Sequence, residues 1–264
     1  MHDEYLARLE KQIENDSRII AAWLEGSLGR GNADRYSDID LHLLLTDSDL
    51  DSFRAGADQW LAAIHPLVLF NTMFDGKMIN VLTVDGLRID IWLQTAEHLT
   101  VDPARVRVLH DLGRRLRFEP AQQAAETGGL LQRIHEFWRC IALLPAVIGR
   151  GEMLSGFIGL GIEINLLSDI LTAGYGVARD RGVKNLNAFL PLDTRLEIEQ
   201  AISMQGLTPS NLAKAHLALA AVAQTHGRAV AARHHLDYPH ELERAVLDYV
   251  RKELVMLHLD FVVE

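Results

Sequence analysis

Two aspartates, Asp38 and Asp40, stand two positions apart at the start of the apolar segment "DIDLHLLL". Residues two positions apart on a β-strand point to the same face, so the two carboxylates would lie side by side. Neighbouring carboxylates stay ionised at low cost only when a cation lies between them. Because Mg²⁺ binds carboxylate and phosphate oxygens together, the pair predicts a magnesium site.

A third acid, Asp90, lies in "LRIDIWLQ", which has the composition of another strand. A carboxylate among Leu, Ile and Trp is costly unless it is paired or bound to a metal. We therefore expect Asp90 to complete a two-metal site, or to be the base that takes a proton from an attacking hydroxyl. Pairing with Arg88 or with a helix N-terminus is the structural alternative.

A glycine-containing turn precedes the aspartate pair. Gly26 has no side chain, so a bulky anion can approach its backbone closely. Ser27 can donate a hydrogen bond, and successive backbone N–H groups in such a turn form an anion-binding nest. A Gly-Ser turn or an Asp-x-Asp pair alone is common and has structural explanations. The order of strand, Gly-Ser turn, aspartate pair and strand predicts a catalytic site.

Predicted helices and strands alternate in the first half of the chain, and they must position these residues. Apolar residues at helical spacing predict helices over residues 3–15 and 48–65. Asp75-Gly76 and Asp85-Gly86 are hairpin signals. Strands are predicted at 18–26, 38–45, 67–74, 77–84, 87–94 and 105–111.

Beyond about residue 120 the strand patterns give way to long helical patterns. Helices are predicted at 130–149, 152–173, 193–204, 210–235 and 240–263. We predict the α+β class, with a catalytic domain at residues 1–119 and an all-helical domain at 120–264.

The composition restricts where the protein works and what it binds. None of its apolar runs reaches the length of about eighteen residues that a transmembrane helix needs. The N-terminus lacks the order of a secretory signal, and the single cysteine, Cys140, cannot form an internal disulfide. These features predict a cytoplasmic protein, with Cys140 packed on a helix face. The net charge of −10 disfavours nucleic acid and anionic membranes and favours cationic small molecules.

The segment "GSLGRGNADRYSDIDLHLLL" resembles the signature of the nucleotidyltransferase superfamily that includes DNA polymerase beta. The resemblance covers roughly residues 18–112 and implies a mixed β-sheet flanked by helices. It also implies that Gly26, Ser27 and Arg30 hold the phosphates of a nucleoside triphosphate, with ATP expected.

In the same superfamily resemblance, Asp38 and Asp40 would ligate Mg²⁺. Asp90, in "RID", would be the third ligand or the general base. A hydroxyl would then attack the α-phosphorus in line, and pyrophosphate would leave.

The helical half resembles a narrower group. "FWRCIALLPAVIGRGEMLSGFIGLGIEINLLSDIL" and "NLNAFLPLDTRLEIEQAI" are similar to lincosamide nucleotidyltransferases of the LinB type. This resemblance implies a helical domain that closes the acceptor pocket, and a homodimer with that pocket near the subunit junction. Glu163, an acid in an apolar helix, and Arg150, at a helix break, are the candidate acceptor contacts; a helix cap is the alternative at the break.

Together these features predict a Mg²⁺-dependent transfer of AMP, or another nucleoside monophosphate, to a hydroxyl of a small cationic molecule. A lincosamide antibiotic is the first candidate acceptor and an aminoglycoside is the second. A protein-modifying nucleotidyltransferase of the toxin–antitoxin kind and a nucleotide-binding regulator with a vestigial site are the alternatives. The long helical domain argues against the former, and the three carboxylates argue against the latter.

Overall fold

The computed structural model of the protein describes residues 2–121, 129–176 and 186–259. The chain divides into two units, Met1–Gln122 and Gln123–Glu264. The first combines strands with helices, and the described part of the second consists of helices and their connections, which confirms the predicted α+β class. The catalytic role predicted for residues 1–119 and the acceptor-binding role predicted for residues 120–264 stay predictions.

The N-terminal unit contains a six-stranded mixed sheet and a separate pair of short parallel strands. The helices are α1 (His2–Glu14), α2 (Gly26–Gly29) and α3 (Asp47–Ala62). The strands are β1 (Ile19–Leu24), β2 (Ile39–Leu45), β3 (Leu67–Met73), β4 (Met78–Thr83), β5 (Arg88–Thr95), β6 (Leu99–Val101), β7 (Arg107–Asp111) and β8 (Leu116–Phe118). The large sheet has the order β3-β4-β5-β2-β1-β7, in which only β2 and β5 run parallel.

Alternating side chains give this sheet two different faces. Ile39, Leu41 and Leu43 of β2 and Ile89 and Ile91 of β5 are fully buried on one face. Helices α1 and α3 cover that face with the apolar residues Tyr5, Leu6, Leu9, Ile13, Phe53, Ala57 and Leu61. The intervening positions of β2 and β5, which include two of the three predicted site acids, therefore point to the opposite face.

The elements of the N-terminal unit differ from the sequence prediction in three places. The strand predicted to end at Gly26 ends at Leu24, because Gly26 has φ +69° and begins the short helix α2. Asp38 lies immediately before β2 and not within it. Strands β6 and β8 were not predicted, because three residues are too few to show a period of two.

The helices of the C-terminal unit follow the predicted pattern, with changes to two predicted helices and one additional four-residue helix at Leu186–Phe189. They are α4 (Leu130–Ile141), α5 (Leu144–Gly149), α6 (Met153–Gly174), α7 (Leu186–Phe189), α8 (Leu192–Ala201), α9 (Pro209–Arg233) and α10 (His240–Met256). The helix predicted at 130–149 is divided, because Pro145 has no N–H to continue it and instead lies in the first turn of α5. The helix predicted at 240–263 ends at Met256, and His258 has a left-handed φ of 58°. Residues 260–263 lie outside the described ranges.

Helix α6 is long and apolar enough, by length and composition, to cross a membrane. Its residues Leu160, Leu167 and Leu171 are buried in the core of the helical unit, beside residues of α4 and α9. A core helix of a globular unit has the same composition, so this property does not by itself identify a membrane span.

Candidate active site

Asp38, Asp40 and Asp90 come together on the face of the sheet opposite α1 and α3. Each offers a carboxylate oxygen, and the three oxygens lie within 4.8 Å of one another. The reason is register: Asp40 of β2 pairs with Asp90 of the parallel strand β5, and Asp38 lies just before β2. Three half-buried carboxylates at this spacing form an all-oxygen donor set, which suits a hard divalent cation such as Mg²⁺.

A fourth polar side chain, Asn80, belongs to the same site and was missed by the sequence analysis. It lies on β4 directly opposite Asp90, and its Nδ2 donates to Asp90 Oδ1 at 2.5 Å. This hydrogen bond orients the carboxylate and leaves Oδ2 for a metal or a proton. A signal was present in the sequence, since Asn80 and Asp90 are equidistant from Asp85 in the predicted Asp85-Gly86 hairpin.

Gly26 is in direct contact with the carboxylate of Asp40. A Cβ at this position would lie 1.9 Å from Asp40 Oδ2, so no other residue fits without displacing the acid. The backbone N–H of the preceding residue, Glu25, donates to the carbonyl oxygen of Asp40 at 2.9 Å. The glycine turn and the aspartate strand are therefore positioned by each other.

The hydroxyl of Ser27 is the second notable group of the turn. Its Oγ is buried and has no hydrogen-bond partner among the described residues. A buried hydroxyl without a partner costs free energy, and a phosphate oxygen is a suitable acceptor for it. Arg30 follows at the end of α2, where its backbone N–H donates to the carbonyl of Gly26 at 3.2 Å.

The loop that leads into Asp38 is held by side chains from distant parts of the unit. Arg88 donates to the carbonyl oxygen of Tyr36 at 3.0 Å, and His2 Nε2 lies 2.7 Å from the carbonyl oxygen of Ser37. Arg88 therefore bonds to this loop, while the hydrogen bond to Asp90 comes from Asn80.

His42 lies two positions after Asp40 on the same face of β2. Burial lowers the pKa of His42, although the charge of Glu25 opposes this shift. Its Nδ1 lies 2.7 Å from Gln94 Nε2, and its Nε2 lies 3.8 Å from Glu25 Oε1. The ring is thus held by side chains on both sides.

The two candidate acceptor residues lie in the helical unit. Glu163 is buried, with 1% of its side chain exposed, and its Oε2 lies 2.7 Å from Nδ1 of His216. His216 Nε2 lies 3.2 Å from the carbonyl oxygen of Gly156, which can only accept, so Nε2 carries a proton. Burial raises the pKa of Glu163, and the bond to His216 acts in the opposite direction. Arg150 is exposed at the end of α5, and an acceptor role for either residue stays a prediction.

The structural comparisons give distant likenesses. An aminoglycoside 6-adenyltransferase from Bacillus subtilis is 16% identical with a TM-score of 0.42, over 95% of this chain and 96% of that chain. A nucleotidyltransferase-like protein from Exiguobacterium sibiricum is 10% identical with a TM-score of 0.37, over 97% of this chain and 91% of that chain. At these scores the likenesses carry no argument about substrate. Comparison with curated protein sequences gives no match.

The family comparison concerns the N-terminal unit. The model described as "Nucleotidyltransferase domain" matches residues 6–114, which is less than half of the chain. The match includes Gly26, Ser27 and all three aspartates. It does not distinguish the lincosamide branch from other branches of the nucleotidyltransferase superfamily. Residues 6–114 are therefore similar to the nucleotidyltransferase domain family, which supports the superfamily predicted from the sequence.

Proposed function

We propose that the protein is a Mg²⁺-dependent nucleotidyltransferase that transfers AMP from ATP to a hydroxyl of a small amine-bearing antibiotic. A lincosamide is the first candidate acceptor and an aminoglycoside is the second. The observation that carries this proposal is the group of three aspartate oxygens within 4.8 Å of one another, next to the Gly26-Ser27 turn. We further propose a cytoplasmic homodimer, as the sequence resemblance implies.

Asp38, Asp40 and Asp90 would hold Mg²⁺, which supplies charge neutralisation for the triphosphate when it is bound. Ser27 donates its hydroxyl to a phosphate oxygen, which gives that buried group a partner. Gly26 allows the Asp40 carboxylate to lie against the turn that carries Ser27.

The attacking hydroxyl needs a base, because a neutral hydroxyl is a poor nucleophile. Asp90 is suited to this role, since Asn80 bonds Oδ1 and leaves Oδ2 to accept a proton. Asn80 acts here as a positioning residue. The remaining part of the rate enhancement would come from holding the acceptor hydroxyl close to the α-phosphorus.

The experiment is a transfer assay with separated substrate classes. The full-length protein is incubated with Mg²⁺, each nucleoside triphosphate in turn, and lincomycin, clindamycin, kanamycin or streptomycin. Mass spectrometry is used to look for a gain of one nucleoside monophosphate on the antibiotic, with the Asp40→Asn variant as the matched control. No gain on any compound would contradict the proposed acceptor class. A gain of one nucleoside monophosphate on a protein, instead of on the antibiotic, would favour a protein-modifying transferase.

A further inference from the structure

Four aromatic rings stack in a row on the sheet face that carries the three aspartates. Trp23 and His42 have ring centroids 5.1 Å apart, His42 and Trp92 are 6.4 Å apart, and Trp92 and Phe74 are 5.6 Å apart. The planes of successive rings differ by 21°, 20° and 18°. We call these four residues the aromatic row, and it runs from β1 across β2 and β5 to the β3–β4 hairpin.

The aromatic row lies directly beside the carboxylates. His42 follows Asp40 by two positions, and Trp92 follows Asp90 by two positions, so all four side chains share one face. A strand rises about 3.3 Å per residue, which places the row about 7 Å along the strands from the carboxylates. A molecule the size of a sugar ring can span that distance.

The two ends of the row differ in exposure. Trp23 is 1% exposed, and its indole N–H donates to Glu25 Oε1 at 3.1 Å. Phe74 is 60% exposed, although it is a large apolar side chain. The row is therefore closed at the β1 end and open to a ligand at the hairpin end.

Phe74 is held in an unfavourable backbone conformation. Its φ is +51°, in the left-handed region, which costs on the order of 1–3 kcal/mol for a residue of this kind. The hairpin tip is anchored by Arg54, whose Nε donates to the carbonyl oxygen of Gly76 at 2.9 Å. Asp75 and Gly76 also have left-handed φ values, so the whole hairpin turn has this conformation and it holds the exposed ring against Trp92.

We propose that Phe74 and Trp92 form the subsite that takes the amine-bearing part of the acceptor, a proposal that rests on the proposed function. Trp92 is stacked between His42 and Phe74, so the aromatic face that is open to an ammonium group is the outer face of the exposed Phe74 ring. The carboxylates of Glu25, near His42, and of Asp75, next to Phe74, add negative charge at the two ends.

The position of the row favours the acceptor over the nucleobase. Gly26, in the turn that carries the phosphate-binding candidates, contacts the Asp40 side of the carboxylate group. Trp92 continues the strand of Asp90, which is the proposed base for the acceptor hydroxyl. An acceptor with its hydroxyl at Asp90 would therefore place its amine against the ring of Phe74, which is stacked on Trp92.

The test replaces the ring without straining the hairpin. Asn tolerates left-handed φ better than Phe, so Phe74→Asn should fold with an unchanged or higher melting temperature. Phe74→Tyr restores an aromatic face, and Val68→Asn on the exposed strand β3 is the surface control. With the acceptor that the parent enzyme uses, Phe74→Asn should raise the acceptor KM about 3- to 30-fold, and the KM for Mg²⁺-nucleotide should not change. Phe74→Tyr and Val68→Asn should behave like the parent.

A second measurement does not depend on turnover. Lincomycin and kanamycin are titrated into the parent and Phe74→Asn proteins without nucleotide, and tryptophan fluorescence is recorded. Parent-like binding by Phe74→Asn, or an equal loss of nucleotide affinity, would overturn the subsite. If the parent transfers nothing but still binds either compound through Phe74, the proposed function fails and the subsite stands. If the parent binds neither compound and modifies no amine-bearing acceptor, the subsite is wrong.

Discussion

Asp40 and Asp90 are paired residues on the parallel strands β2 and β5, and their carboxylates lie on the same face of the sheet. With Asp38 they bring three carboxylate oxygens within 4.8 Å of one another. Negative groups at this distance repel one another unless a cation or a proton lies among them. Removing one carboxylate should therefore weaken metal binding and also relieve repulsion in the metal-free protein.

Asp40→Asn should nearly abolish nucleotidyl transfer while the fold is kept. The melting temperature in EDTA should be equal to or above that of the parent, because one repelling charge is gone. Mg²⁺ with nucleotide should raise the melting temperature of the parent and have little effect on the variant. Asp58→Asn, on the exposed side of α3, is the matched control and should respond like the parent. Normal turnover by Asp40→Asn would remove the aspartates from the catalytic site.

Ser27→Ala should weaken nucleotide binding without harming the fold. A hydrogen bond to a charged group contributes about 1.5–3 kcal/mol, so the nucleotide Kd should rise about 10- to 150-fold. The free protein should lose little stability, since the buried hydroxyl has no partner among the described residues. Ser52→Ala, whose hydroxyl bonds only locally to the carbonyl of Asp49, is the control. Superimposable nucleotide titrations for Ser27→Ala and the parent would exclude the hydroxyl from the phosphate site.

Asp90→Asn separates base catalysis from metal ligation. If Asp90 is mainly the base, Mg²⁺-nucleotide binding measured by calorimetry should persist while the single-turnover rate falls about 10²- to 10⁴-fold. A weakened Mg²⁺ dependence would instead identify a metal ligand. Asn80→Ala should give a smaller loss of rate, because it frees the Asp90 carboxylate to rotate. Asn71→Ala, on the neighbouring strand β3, is the control for the loss of an exposed side-chain amide and should keep the rate of the parent.

Gly26→Ala should be far more harmful than Gly31→Ala. Both glycines have left-handed φ values, +69° and +71°, so the backbone strain of the substitution is alike. At Gly26 the new Cβ would also lie 1.9 Å from Asp40 Oδ2, whereas at Gly31 no atom lies within 4 Å. Gly31→Ala should therefore lose only about 1–3 kcal/mol of stability and keep activity. Equal activity in the two variants would contradict the close contact between the turn and Asp40.

The buried pair of Glu163 and His216 predicts a pH-dependent stability difference. Burial raises the pKa of Glu163, so the folded state favours its protonated form and loses stability as pH rises through that pKa. Glu163→Gln keeps a hydrogen-bond acceptor without the charge, so its stability relative to the parent should increase as pH rises above the ordinary range of a glutamate. His216→Ala leaves the buried carboxyl group of Glu163 without its hydrogen-bond partner and should cost about 1–3 kcal/mol.

Chemical denaturation between acidic and neutral pH measures both variants. A constant stability difference between Glu163→Gln and the parent across that range would contradict the effect of burial. The same Glu163→Gln protein tests the acceptor prediction, because a purely structural pair would leave the acceptor KM unchanged.

Local patterns in the sequence were sufficient to predict the strands around the site, but not the short helix α2. The apolar segments "DIDLHLLL" and "LRIDIWLQ" indicated strands, the spacing of Asp38 and Asp40 indicated a shared face, and the apolar neighbours of Asp90 indicated a metal ligand or base. The two Asp-Gly hairpins and the change to helical spacing near residue 120 followed from turn chemistry and periodicity. Turns and periodic patterns depend on residues that are close together in the chain, so they can be recognised from the sequence alone.

The tertiary structure decided which of these residues meet. Parallel pairing of β2 with β5 aligned Asp40 with Asp90, and antiparallel pairing with β4 brought Asn80 to the same carboxylate. The same pairing assembled the aromatic row from three strands and a hairpin. It is long-range strand register that sets these contacts, and register depends on how the buried faces of distant segments pack together. The sequence by itself therefore determined the chemistry that was available, and the packed sheet determined where that chemistry converges.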